Sequence, residues 1–339
     1  MAVSVGSDIA HGDFNGAVNT INTVLGLGSG DTGYGQNTGL TEVAATQDIT
    51  STNMQALKTA LDTARNHQTG SAATAGAIVS GNIIGADASN TTTGNSVTRS
   101  STDTFSIDTP DATKGMNDYI QAANDAQTDK DASGGSSLSI STVYDYATAN
   151  LTYTPSWQRL RAIVQVNFAG GYSASNADGT TASASADDHR RHFFNAGGQI
   201  LIDTIGVNNS GAKGNDWNTI IEAVGAVILS ADSVTASSGT TSLSYRQLTT
   251  TYQTIMTKSG SSGVYAENEY YIEAALISGG LTFRITYDDN DAGDQTGSGG
   301  PVDESVNTDI QIRVRHNVPT SGVIVPAGTW TIPTPLNTY

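Results

Sequence analysis

The apolar residues of this chain change their dominant period along its length. Up to about residue 128 their stripes recur every three or four positions, and after residue 138 they mainly alternate. A period near 3.6 marks one buried face of a helix, and a period of two marks a half-buried strand. That single switch predicts an α+β fold: a short N-terminal helical arm, then a β-rich, antiparallel, sandwich-like body. Phe14, Ala17, Val18, Ile21, Val24 and Leu25 form the first stripe, within residues 8–30. Asp13 is placed as its N-cap or first-turn acid, and Gly26, Gly28 and Gly30 stop it. Met54, Leu57, Leu61 and Ala64 form a second stripe after Thr50, closed by His67-Gln68-Thr69-Gly70; Met116, Tyr119, Ile120 and Ala123 form a third over 115–128. Such short amphipathic helices need partners, so the first two are expected as an antiparallel pair, docked on each other or on a neighbouring subunit.

In the second part, alternation is plainest at 138–144, 150–153, 161–168, 271–277, 281–287 and 309–315. A hairpin is expected around Gly279-Gly280. One inserted helix is expected over 215–230, with Trp217, Ile220, Ile221, Val224, Val227 and Ile228 inward. The late prolines, Pro319, Pro326, Pro333 and Pro335, mark an extended tail that covers a sheet edge. Between the parts lies a stretch dominated by Gly, Ser, Thr, Ala and Asn. The expected organisation is therefore an N-terminal helical docking region over 1–70, a Gly/Ser/Thr/Asn-rich linker with one short helix over 71–137, and the β-rich body over 138–339.

Charge narrows the partners. Fifteen basic against 32 acidic residues give a net charge of -17. Nucleic acid and anionic membrane are excluded as expected partners, because phosphate binding needs concentrated Lys and Arg. The absence of cysteine removes disulfides, thiolate metal sites and cysteine nucleophiles. No stretch approaches the roughly 18 apolar residues of a membrane span. The first residues lack the basic and apolar regions of a secretory signal, so synthesis in a cytoplasm is expected.

The densest run of chemically capable residues is 187–203, Asp-Asp-His-Arg-Arg-His-Phe-Phe-Asn-Ala-Gly-Gly-Gln-Ile-Leu-Ile-Asp. His189 and His192, beside Asp187 and Asp188, are the best metal-like cluster, since imidazole with carboxylate suits zinc or nickel. Arg190 and Arg191 oppose that reading, and the run flanks a strand more naturally than it forms a helix. It reads better as architecture: a polar approach with Asp–Arg pairs, Phe193 and Phe194 as core or interface anchors, Asn195 stabilising a bend, then an outgoing strand. Gly197 and Gly198 make the bend, with positive φ or close backbone approach. A second acidic run, 288–294, offers Asp289, Asp291 and Asp294 as calcium candidates, but the twelve-residue loop with its final Glu is missing. The bland reading there is a solvated turn. No nucleophile elbow or phosphate-cradling loop occurs, so no catalytic residue and no cofactor is expected. Carboxylate pairs for glycoside hydrolysis meet only in the fold, so a depolymerase stays open. Trp157, Trp217, Trp330 and the 13 tyrosines are possible sugar-stacking rings.

Four strings occur in order: Gly33-Tyr-Gly-Gln36, His67-Gln-Thr-Gly70, 190–200 (Arg-Arg-His-Phe-Phe-Asn-Ala-Gly-Gly-Gln-Ile) and 248–255 (Leu-Thr-Thr-Thr-Tyr-Gln-Thr-Ile). Together they resemble virion structural, tail-fibre-like proteins of large tailed bacteriophages, especially myoviruses of marine cyanobacteria. The Phe-Phe-Asn-x-Gly-Gly string is the specific one. The resemblance implies a non-enzymatic structural protein of a tail, neck or fibre, located in the virion. Its implied partners are other virion proteins and copies of itself in a trimer or other cyclic ring. A host-glycan receptor-binding module is the alternative, and a tail-associated polysaccharide depolymerase stands behind it.

Overall fold

The structure is a computed structural model that describes residues 9–69, 116–129, 140–151, 159–260, 266–290, 295–297, 300–302, 307–319, 322–323, 325 and 328–331. Its helices are α1 (His11–Leu25), α2 (Ser51–Thr69), α3 (Met116–Thr128), α4 (Ala186–Asn195) and α5 (Gly211–Val224). Its strands are β1 (Ile140–Leu151), β2 (Arg159–Asn167), β3 (Ser173–Ser175), β4 (Thr181–Ser183), β5 (Gln199–Ser210), β6 (Val227–Leu229), β7 (Val234–Thr235) and β8 (Thr240–Thr241). They continue with β9 (Gln253–Ser259), β10 (Glu269–Ile277), β11 (Gly280–Asp288), β12 (Gln295–Gly297), β13 (Gly300–Val302), β14 (Asn307–Pro319) and β15 (Thr329–Thr331). The fold is α+β, with helices first and a β-rich body after them. The chain divides into two compact units: 1–140 with 170–196 and 319–325, and 141–169 with 197–318 and 326–339.

In the first unit, α1, α2 and α3 pack against one another through the stripes that the sequence displays. Phe14, Val18, Ile21, Leu57, Leu61 and Met116 are shut off from solvent. Full burial of each such side chain contributes roughly 1.5–3 kcal/mol. Asp13 lies in the first turn of α1 rather than at its cap, which is Ala10. At the other end Gly26 closes the helix by donating its N–H to Asn22 O. The Gln68 amide donates to Ala126 O at 2.7 Å, tying α2 to α3, so the expected helix pair is a trio. The β3–β4 hairpin joins this unit, because Asn22 Nδ2 reaches Ala177 O at 3.1 Å and Leu27 N reaches Ser175 O at 2.7 Å.

The second unit holds two sheets, ordered β1-β14-β5-β6-β7 and β15-β2-β11-β10-β9-β8. β14 pairs antiparallel with β5, and β11 pairs antiparallel with both β2 and β10. β2 buries every second residue, Leu160, Ala162, Val164 and Val166, as its alternation requires. β10 and β11 form the expected hairpin, closed by Ser278 and Gly279 with Ile277 opposite Gly280. β15 lies at the end of its sheet on β2, so part of the proline-rich tail does cover that edge. Tyr270 and Tyr287 stack at 4.9 Å between centroids, and the hydroxyls of both meet Thr204 of β5, at 2.9 and 3.1 Å. These fully buried contacts carry the interior from one sheet to the other. The inserted helix is α5, but it stops at Val224; Val227 to Leu229 are strand β6, not the last turn of a helix running to residue 230. Gly225, at φ 61°, ends it early.

Candidate functional site

The 187–203 run does not approach a strand as an irregular polar segment: its first half is helix α4. Ser185 caps it with a capping box, its side chain accepting from Asp188 N while the Asp188 carboxylate accepts from Ser185 N. Two i,i+3 ion pairs, Arg190–Asp187 at 2.8 Å and Arg191–Asp188 at 2.7 Å, run along it, as the adjacent charges suggested. Phe193 and Phe194 are core residues, edge to face at 5.2 Å and essentially unexposed. At the bend that follows, the positive φ falls on Gly197 (88°) and not on Gly198.

The polar face of α4 grips the glycine-rich loop that leaves α1. Arg191 donates to three backbone carbonyls, Thr32 O, Leu27 O at 2.8 Å and Gly28 O at 3.4 Å, while its ion pair holds the guanidinium in place. His192 Nε2 lies 2.7 Å from Leu27 O, and its Nδ1 lies 2.6 Å from the Tyr172 hydroxyl. A carbonyl only accepts, so Nε2 carries the proton and Nδ1 accepts from the tyrosine. His189 Nδ1 accepts from Gly170 N at 3.2 Å. Asn195 donates to Thr32 O at 3.1 Å and Gly33 O at 3.3 Å, so its amide nitrogen secures this distant loop. The loop fits closely: a Cβ on Gly35, whose φ is 70°, would sit 2.5 Å from His192 Nδ1 and 2.8 Å from the Tyr172 oxygen.

The electrostatics follow from this packing. Burial holds His192 down at about 4, so it is neutral at pH 7. Burial pushes the Asp188 carboxyl up, but hydrogen bonds from Ser185 and Arg191 together outweigh it and hold it at about 2. Tyr172 is raised, by burial first and by the Asp188 charge second. With both nitrogens of His192 and one of His189 engaged, the pair is arranged as a clasp on backbone rather than as metal ligands. Among the described residues no cluster of three His, Asp or Glu is placed to hold a metal ion.

The calcium candidates divide. Asp289 is fully enclosed and paired with Lys213 Nζ at 2.7 Å, while Asp291 and Asp294 lie outside the described residues. Trp217 is a core ring of α5, and Trp157 also lies outside the described residues. A groove of about 590 Å³ in the first unit escaped the sequence reading. Neutral groups line it, among them Gln36, Asn37, Thr38, Gln55, Thr59 and Thr63. Hydroxyls and amides four residues apart on one helix face were the available signal for it. No family model matches the chain, and no curated protein or solved structure matches it.

Proposed function

We propose that this chain is a non-enzymatic structural protein of a tailed-phage virion, acting in a tail, neck or fibre assembly with other virion proteins and with copies of itself. The observation that supports this most is what α4 does with its chemistry. Arg191, braced by Asp188, and with it His192 and Asn195, in the most capable cluster in the sequence, hold backbone carbonyls of a loop about 160 positions away. Groups spent on backbone positioning serve architecture. The acidic, cysteine-free composition and the resemblance around Phe193-Phe194-Asn195 point the same way. Size-exclusion chromatography with light scattering tests the assembly: a discrete cyclic oligomer is expected, and a monomer that never associates across the accessible concentration range contradicts it.

A second reading is host-glycan recognition, and the groove beside α2 favours it. Its uncharged amides and hydroxyls are the donors and acceptors that neutral sugar hydroxyls match. Binding of the purified protein to host cells, weakened by Gln55→Ala, would support that role; unchanged binding by the variant would remove the groove from it.

A further inference from the structure

We propose that Lys213 and Asp289 are joined by an intramolecular isopeptide bond that forms spontaneously after folding. This rests on the second unit alone and is independent of the functional reading above. Lys213 lies in the first turn of α5, and Asp289 directly follows β11. Their side chains are 1% and 0% exposed, with Nζ 2.7 Å from Oδ2. The two elements are held beside this contact. One turn along α5, Trp217 meets Tyr287 edge to face at 6.1 Å, and both rings are enclosed. Across the sheet, Arg159 of β2 takes both oxygens of Asp288, at 2.9 and 2.7 Å, and fixes the end of β11. The neighbouring carboxylate is thereby spoken for, and Asp289 is delivered to the lysine.

An ion pair sealed from water sits where charge is least welcome, because burial favours the neutral forms of both partners. The ammonium and the carboxylate oxygen are 2.7 Å apart but not aligned as a hydrogen bond, and transfer of one proton between them after a small reorientation gives an amine beside a carboxylic acid. The amine nitrogen then attacks the acid carbon. A C–N bond forms, a C–O bond breaks, and the nitrogen's surplus proton leaves with the hydroxyl as one water. No oxidant, reductant or activated donor enters the balance. Asp216, one turn from Lys213, places a second carboxyl on the helix, with a buried Oδ2 that has no hydrogen-bond partner and a protonated form favoured by burial. Fixed contact replaces a collision between two free reactants and so removes part of the barrier that such a condensation faces. The enclosed site sheds the released water and disfavours the reverse hydrolysis. The product ties α5 to the end of β11 in a chain without cysteine, where no disulfide can do so.

Intact-mass spectrometry of the purified full-length protein under denaturing conditions decides it. The wild type is expected one water lighter than its sequence mass, with a branched tryptic peptide containing uncleaved Lys213 joined to the Asp289 peptide. Lys213→Arg is expected at its full sequence mass. Asp289→Asn is expected to form the same amide while losing one ammonia. A wild type at full sequence mass, with linear peptides and cleavage after Lys213, overturns the proposal. A water loss that maps to a linear peptide overturns it equally.

Discussion

His67, His192 and His316 are all buried, and burial holds them at about 4, about 4 and about 3. In an unfolded chain a histidine titrates near 6.5. Between these values the unfolded state binds more protons than the native state, so stability must rise with pH across the window. The contribution is fully present above about pH 6.5 and is lost as pH falls toward 4, on the order of 3 kcal/mol for each group. Asp188, held at about 2, remains ionised throughout, so its pair with Arg191 does not account for the loss. Urea unfolding at pH 7 and pH 4.5 should show the drop, and His192→Gln should make it smaller. An unchanged pH slope in that variant would count against the neutral, clasping histidine. Arg191 is the other residue on which the clasp depends. Arg191→Ala takes one donor from each of three carbonyls and from Asp188, though Thr32 O keeps Asn195, Leu27 O keeps His192 and Asp188 keeps Ser185, and charged hydrogen bonds of this kind carry about 1.5–3 kcal/mol each when one partner is lost. Because the carbonyls share one side chain and solvent reaches part of it, a total loss of about 2–4 kcal/mol in urea unfolding is expected, and a loss below about 0.5 kcal/mol would contradict the account.

At the level of elements, the loop between α1 and α2 offers a controlled comparison. Gly30 and Gly35 have similar backbones, φ 60° and 70°, so alanine strains both alike. They differ in surroundings: a Cβ meets nothing within 4 Å at Gly30 but meets His192 and Tyr172 at Gly35. Gly30→Ala should therefore cost about 1 kcal/mol, and Gly35→Ala about 2–3 kcal/mol more, since the clasp itself must move. Equal midpoints for the two variants in thermal unfolding would show that α4 does not press on this loop. The same comparison explains what was legible beforehand. The stripes of α1, α2 and α3 and the alternation of β2, β10, β11 and β14 are local, and each element formed where its period placed it. α4 is hard to see because ten mostly polar residues carry only a short apolar pattern, although Ser185 followed three positions later by Asp188 is a usable start signal. α5 was placed too late because the apolar run through Val227 and Ile228 continues without a break in hydrophobicity, and only Gly225 divides helix from strand. The clasp itself was not legible. Arg191 and Asn195 act on carbonyls of residues 27–33, and nothing in either segment names the other. Lys213 and Asp289 were hidden for the same reason.

For the molecule as a whole, two compact units follow from a chain whose later segments return to its beginning. Residues 170–196 and 319–325 complete the helical unit, and 141–169, 197–318 and 326–339 build the two large sheets. Val323 N donates to His67 Nδ1 at 3.0 Å, so even the end of β14 leads back to α2. Such interleaving makes each unit depend on the whole chain having been made. At a net charge of -17, copies of the chain repel one another at long range. The most direct measurement is quantitative mass spectrometry of gradient-purified particles from an infection that expresses this chain. The structural role predicts the chain at a fixed, multi-copy ratio to the major capsid protein in every infectious fraction; finding it only among the free proteins of the lysate would contradict that role.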